Sequence, residues 1–156
     1  MRRLIGFLLG WTERVARRFD GLAPLIARLV VGDVFLLSGW GKLHHLPEVT
    51  QNFIGWGIPF PQIFTPFVSG VEFFGGAFLM LGLLTRVSAA ALAITMLVAI
   101  RSALWDQVDS LETLLGFEET AYFALFFWLA VAGAGRLSLD HGLRRWAGSG
   151  AAAQSS

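Results

Sequence analysis

The side chains best placed to do chemistry in this sequence are the charges set inside apolar stretches. Glu72 is the single charge between Phe64 and the Arg86 that ends the run. If that helix starts at Gln62, Glu72 lies ~15 Å into it, a depth where an unpaired charge costs at least ~2.5 kcal/mol in a bilayer. Arg28 and Asp33 interrupt an earlier apolar stretch, ~9 Å and ~16 Å from its start. Arg28, Asp33 and Glu72 are therefore expected to form one inner polar cluster in which the arginine offsets two acids. Such a cluster is either a small-molecule or proton site or an ion pair that fixes helix register. A second, outer group comprises Lys42, Arg101, Asp106, Glu118 and Glu119, either lining a site or reaching to water from helix ends.

No pairing of a nucleophile with a base stands out, so no catalytic residue is assigned. The adjacent His44 and His45 point in different directions on any helix, and His141 falls at the opposite side. A haem held by two facing histidines has no ligands here. A metal site would need three or four donors. His44, His45 and Glu48 are the one such grouping, and no metal is expected.

The elements that position these charges are apolar helices. Of 156 residues, 55% are hydrophobic and 15% charged, against about 25% charged in soluble domains. Four spans are expected: Leu22–Leu43, Gln62–Leu84, Val87–Trp105, and a fourth from near Phe117 to Gly133–Gly135. Gly32, Gly39, Gly75, Gly76 and Gly82 are the small residues that let such helices approach closely. His44–Pro61 is too short and too broken by Gly and Pro to span, so it reads as an interfacial segment. Residues 1–21 place Leu4, Leu8, Trp11, Val15 and Phe19 on one face against Arg3, Arg14, Arg17 and Arg18. That is the pattern of an amphipathic interfacial helix; a signal peptide is the competing reading, with arginines where its cleavage site should be. Residues 22–146 form the membrane domain, and 147–156 read as a disordered tail.

The fold class is thus all-α, a polytopic four-transmembrane-helix bundle in contact with the lipid bilayer. Arginine precedes span one, sits at Arg86 and follows span four at Arg136, Arg144 and Arg145. By the positive-inside rule both termini are cytoplasmic. A net charge of +1 gives no whole-chain argument for nucleic-acid binding, and zero cysteines exclude thiol chemistry by this chain.

Arg28, Ser38-Gly39-Trp40-Gly41-Lys42-Leu43, the Phe53…Gly57-Ile58-Pro59 segment, Glu72 with Gly75-Gly76, Gly82-Leu83-Leu84-Thr85-Arg86 and Gly133-Ala134-Gly135-Arg136-Leu137-Ser138-Leu139-Asp140 resemble the DoxX family of four-helix bacterial membrane proteins. The resemblance covers about Leu25 to Asp140. It implies a protein of the bacterial inner membrane linked to quinone-dependent oxidoreductases and oxidative stress. Quinone is then the implied cofactor, and a soluble redox protein, another membrane subunit or a second copy the implied partner. The competing functions are a non-enzymatic scaffold and a small-solute transport component.

Overall fold

The computed structural model describes residues 19 and 21–153. The expected amphipathic helix therefore lies almost wholly outside the described residues. Among these the chain is all-helical, with seven α-helices and no strand. They are α1 (Leu22–His44), α2 (Leu46–Gly55), α3 (Pro61–Leu81), α4 (Thr85–Ala99), α5 (Leu111–Gly116), α6 (Glu118–Ala132) and α7 (Leu139–Ala153). The chain continues from α4 through a π-helical turn, Ile100–Leu104, and a 3₁₀ turn, Trp105–Gln107.

Among the described residues, three helices are long and apolar enough to cross a membrane: Leu22–His44, Pro61–Leu81 and Thr85–Gln107. α6, where a fourth span was expected, is not among them. α6 has 15 residues, ~22 Å of helix against a hydrocarbon core of ~30 Å. It is cut off by the extended Phe117 at one end and by Gly133, at φ 85°, at the other. The segment between the first two spans folds as the short helix α2, with Phe53 buried. At the far end, α7 continues to Ala153, so helix enters the segment read as a disordered tail from residue 147.

The bundle is built from two close pairs, α1 with α3 and α4 with α6, joined by the α3–α4 hairpin and a lighter contact of α1 with α6. Between them lie Val31, Phe35, Leu79, Leu92, Met96, Phe126 and Leu129, all buried. Phe35 meets Tyr122 and Phe126 edge-on, at 5.3 and 4.9 Å between ring centroids. The outer surface is apolar, with Ile26, Leu37, Ile63, Phe67, Val87, Ile94, Phe127 and Val131 exposed. Such a belt belongs against lipid tails rather than water.

Glycine permits the α1–α3 approach. A methyl group on Gly39 would run into the backbone of Phe73, and one on Gly76 would lie 2.6 Å from the carbonyl oxygen of Gly32. Gly39→Ala is therefore expected to lower stability in detergent by ~1–3 kcal/mol through overpacking. Gly41→Ala, where no atom stands within 4 Å, should be neutral or stabilising by up to ~1 kcal/mol, because alanine is the better helix former. Thermal melts of the two variants make the comparison. Equal melting points would refute the close packing. Gly32 faces Met80 in the same seam, while Gly75 meets only the flexible Leu92 side chain of α4.

Candidate functional site

The α1–α3 register decides which charges meet. The two helices run antiparallel, with Gly39 beside Ser69 and Phe73, Gly32 beside Gly76 and Met80, and Arg28 beside Leu79 and Gly82. Glu72 is thus level with Ser38, ten residues and ~15 Å along α1 from Arg28. The inner cluster expected from depth does not form. That expectation set the end of the first span level with the start of the second, but α2 and the turn after it carry the start of α3 roughly 7 Å past the end of α1.

Arg28 instead ties three segments together at the end opposite α2. Its guanidinium donates from Nε to the Pro24 carbonyl at 3.3 Å, from Nη1 to Leu79 at 3.5 Å and from Nη2 to Leu137 at 2.6 Å. Gly82 ends α3 in the left-handed conformation, at φ 67°, and any side chain there would overlap Arg28. The Gly82 and Leu83 N–H groups return to Leu79 and Phe78 at 3.1 and 2.9 Å, the glycine-dependent helix ending. Asp140 completes the joint. Its carboxylate accepts from the N–H groups of Leu84 at 2.8 Å and Thr85 at 3.0 Å, capping α4 from 55 residues away. That cap holds Leu84 in a left-handed conformation, φ 47°, which a branched side chain avoids. Asp140 was not among the sequence candidates, since its carboxylate caps a helix remote in the chain. Asp33 joins neither group and faces outward from α1.

Glu72 has Lys42 as its partner. Lys42 Nζ lies 2.6 Å from both carboxylate oxygens, and Ser38 Oγ donates to Oε2 at 3.0 Å. Side chains on a helix lean toward its N-terminus, so Lys42 leans into the bundle and Glu72 leans out to meet it. The Glu72 side chain is 4% exposed and that of Lys42 35%. The exposed part faces a cavity of about 670 Å³ walled by α1, α3, α4, the π turn and α6. Its polar groups come from Ser38, Lys42, Glu72, Thr95, Ser102, Glu118, Glu119 and Tyr122. Its walls are apolar, with Phe35, Phe53 and Trp56 among them. Phe64, Phe67, Ile94 and Val98 line it and are also exposed on the bundle surface. The cavity therefore has a lateral mouth between α3 and α4, on the apolar belt.

The outer group is thus brought together in part. Lys42, Glu118 and Glu119 line the cavity. Arg101 lies over the Trp105 ring, 5.7 Å from its centroid, and Asp106 is exposed. Nearby, the Thr113 hydroxyl donates to Asp109 and holds its carboxyl below the usual range. Ser38 and Tyr122 were missed as site residues. Ser38 was visible only as part of a motif, and Tyr122 only as an aromatic in an apolar run. The π turn contributes Ser102, Ala103 and Leu104 to the wall, and such local widenings recur at functional sites. An acid–base pair on the wall of a largely apolar cavity is a geometry for a molecule with a polar head and an apolar body.

The DoxX family model matches residues 23–105 of this chain. Among curated proteins, the inner membrane protein YqjF of Escherichia coli (strain K12) is 30% identical over 134 residues, which cover 83% of this chain and 99% of that protein. No solved structure matches the chain.

Proposed function

Because this chain belongs to the DoxX family of integral membrane proteins, we propose that it serves as a membrane subunit or anchor of an oxidoreductase system and holds a quinone headgroup in the α1–α3–α4–α6 cavity. The observation that carries this reading is the Lys42–Glu72 pair on the wall of a largely apolar cavity. Lys42 has three N–H donors, and Glu72 takes two of them. The third, with the Ser38 and Tyr122 hydroxyls, suits a ring that presents carbonyl acceptors. Phe35, Phe53 and Trp56 give the ring aromatic walls, and the mouth between α3 and α4 lets an apolar tail run into lipid. A quinone supplies reversible two-electron, two-proton reduction. The chain has no cysteine, and its three histidines are exposed at helix ends, so the electron carrier of such a system belongs to a partner.

The test is extraction of lipid from detergent-purified protein, followed by ultraviolet spectra of the extract before and after borohydride. This reading expects quinone enriched over an unrelated membrane protein purified in parallel; extracts of equal quinone content contradict it.

The same reading assigns the chain to the bacterial inner membrane, the location in the relative's name, with α6 as a short fourth span. Arg86 and Arg144 line one small cleft of about 90 Å³ beside α7, away from the cavity, and the positive-inside rule turns that end to the cytoplasm. Reporter fusions after Arg86 and Arg145 should then report the cytoplasm, and fusions near Asn52 and Asp109 the periplasm. A periplasmic signal at Arg145 would mean three spans.

A further inference from the structure

α1 turns Gly32 and Gly39 toward α3 and leaves another face uncovered. Ile26, Val30, Leu37 and Trp40 are each more than half exposed, and Asp33 is exposed in the middle of them. Positions 26, 30, 33, 37 and 40 alternate steps of four and three, the spacing of a seam along which two helices pack at a small left-handed angle. Asp33 is the twelfth of the 23 residues of α1, so it lies at mid-span. It has no hydrogen bond or ion pair with a described residue. A lone acid facing lipid at that depth is among the least favourable placements a bilayer offers.

We propose that a second copy of this chain covers the seam, α1 against parallel α1 about a twofold axis normal to the membrane, with the two Asp33 carboxyl groups hydrogen-bonded to each other. Copies of one chain insert with the same orientation, so a twofold axis sets each seam residue opposite its own counterpart. A carboxyl is one of the few ionisable groups that can pair with itself. One member keeps its proton and donates, and the other accepts. The apolar seam residues on either side match themselves equally well. The seam leaves Ser38, Lys42 and the α3–α4 mouth uncovered, so the dimer is compatible with an occupied cavity and stands whether or not the ligand is a quinone.

The chain contains no cysteine, which makes the test clean. Single substitutions Val30→Cys and Leu37→Cys, oxidised in native membranes, should give disulfide-linked dimers. Val87→Cys and Phe127→Cys, on exposed faces of other helices, should not. In purified protein, Asp33→Asn should keep the dimer, since an amide also donates and accepts. Asp33→Leu should weaken it by about 3- to 30-fold, the range for an interhelical hydrogen bond in a membrane. Equal cross-linking at all four positions, or a monomer in every sample, overturns the proposal. Loss of the dimer in Asp33→Asn overturns it too, because the acid would then be meeting a cation on another protein.

Discussion

Arg28→Met is expected to be the most damaging single change in the bundle, lowering stability by ~3–5 kcal/mol. The guanidinium serves the carbonyls of α1, of the end of α3 and of the segment leading into α7. Each sound hydrogen bond to a charged donor contributes ~1.5–3 kcal/mol, and the 3.5 Å contact to Leu79 contributes least. Removing the donor strands the Leu137 carbonyl, whose 2.6 Å bond is the strongest of the set. Arg28→Lys should not rescue the loss, since one ammonium cannot reach three carbonyls in different directions. Thermal melts in detergent read the stability. Limited proteolysis between Gly133 and Asp140 reads the detachment of that segment, and should rise in both variants. A wild-type melting point and cleavage pattern for Arg28→Met would show that the joint is not held this way.

The second large effect separates Lys42 from Glu72. Lys42→Met leaves a nearly buried carboxylate with only the Ser38 hydroxyl, and should lower stability by ~3 kcal/mol. Glu72→Leu should lower it by only ~1 kcal/mol, because Lys42 is one-third exposed and can turn its ammonium to water through the cavity. Lys42→Met/Glu72→Leu together should melt close to wild type, since replacing both members of such a pair by apolar groups is often neutral. The four proteins form a double-mutant cycle whose coupling energy measures the pair directly. Additive losses would mean that Lys42 and Glu72 do not interact.

The architecture was legible because bilayer length, apolar content and glycine spacing act on each helix by itself. The three long spans, a non-spanning segment between the first two and the glycines that could let helices approach all follow from such local quantities; the helix Leu46–Gly55 and the meeting of Gly39 with α3 came from the structure. The charge partners did not, because they depend on how far one helix slides along another. Glu72 was correctly singled out as a buried acid. Its pairing with Arg28 failed over ~15 Å of register, and that register is set by α2 and the turn to Pro61. Asp140 shows the same limit. A carboxylate that caps a helix 55 residues earlier has no local signature, although both it and the Gly82–Arg86 turn it serves stood out as motifs. The start of α6 was read to within a residue, near Phe117, while its end was placed at Gly133–Gly135, past Ala132, where Gly133, at positive φ, stops the helix.

In the proposed function, Lys42 and Glu72 hold the head of an amphipathic ligand. Titrating a short-tailed benzoquinone into detergent-purified protein tests it most directly, with tryptophan fluorescence as the signal. Trp56 lines the cavity, and Trp56→Phe identifies its share of the quenching. Saturable quenching by the wild type is expected, with at least ~10-fold weaker binding, or ~1.4 kcal/mol, by a Lys42→Met/Glu72→Leu protein that melts like the wild type. Equal affinity of the two proteins, or no saturable binding by either, would contradict it.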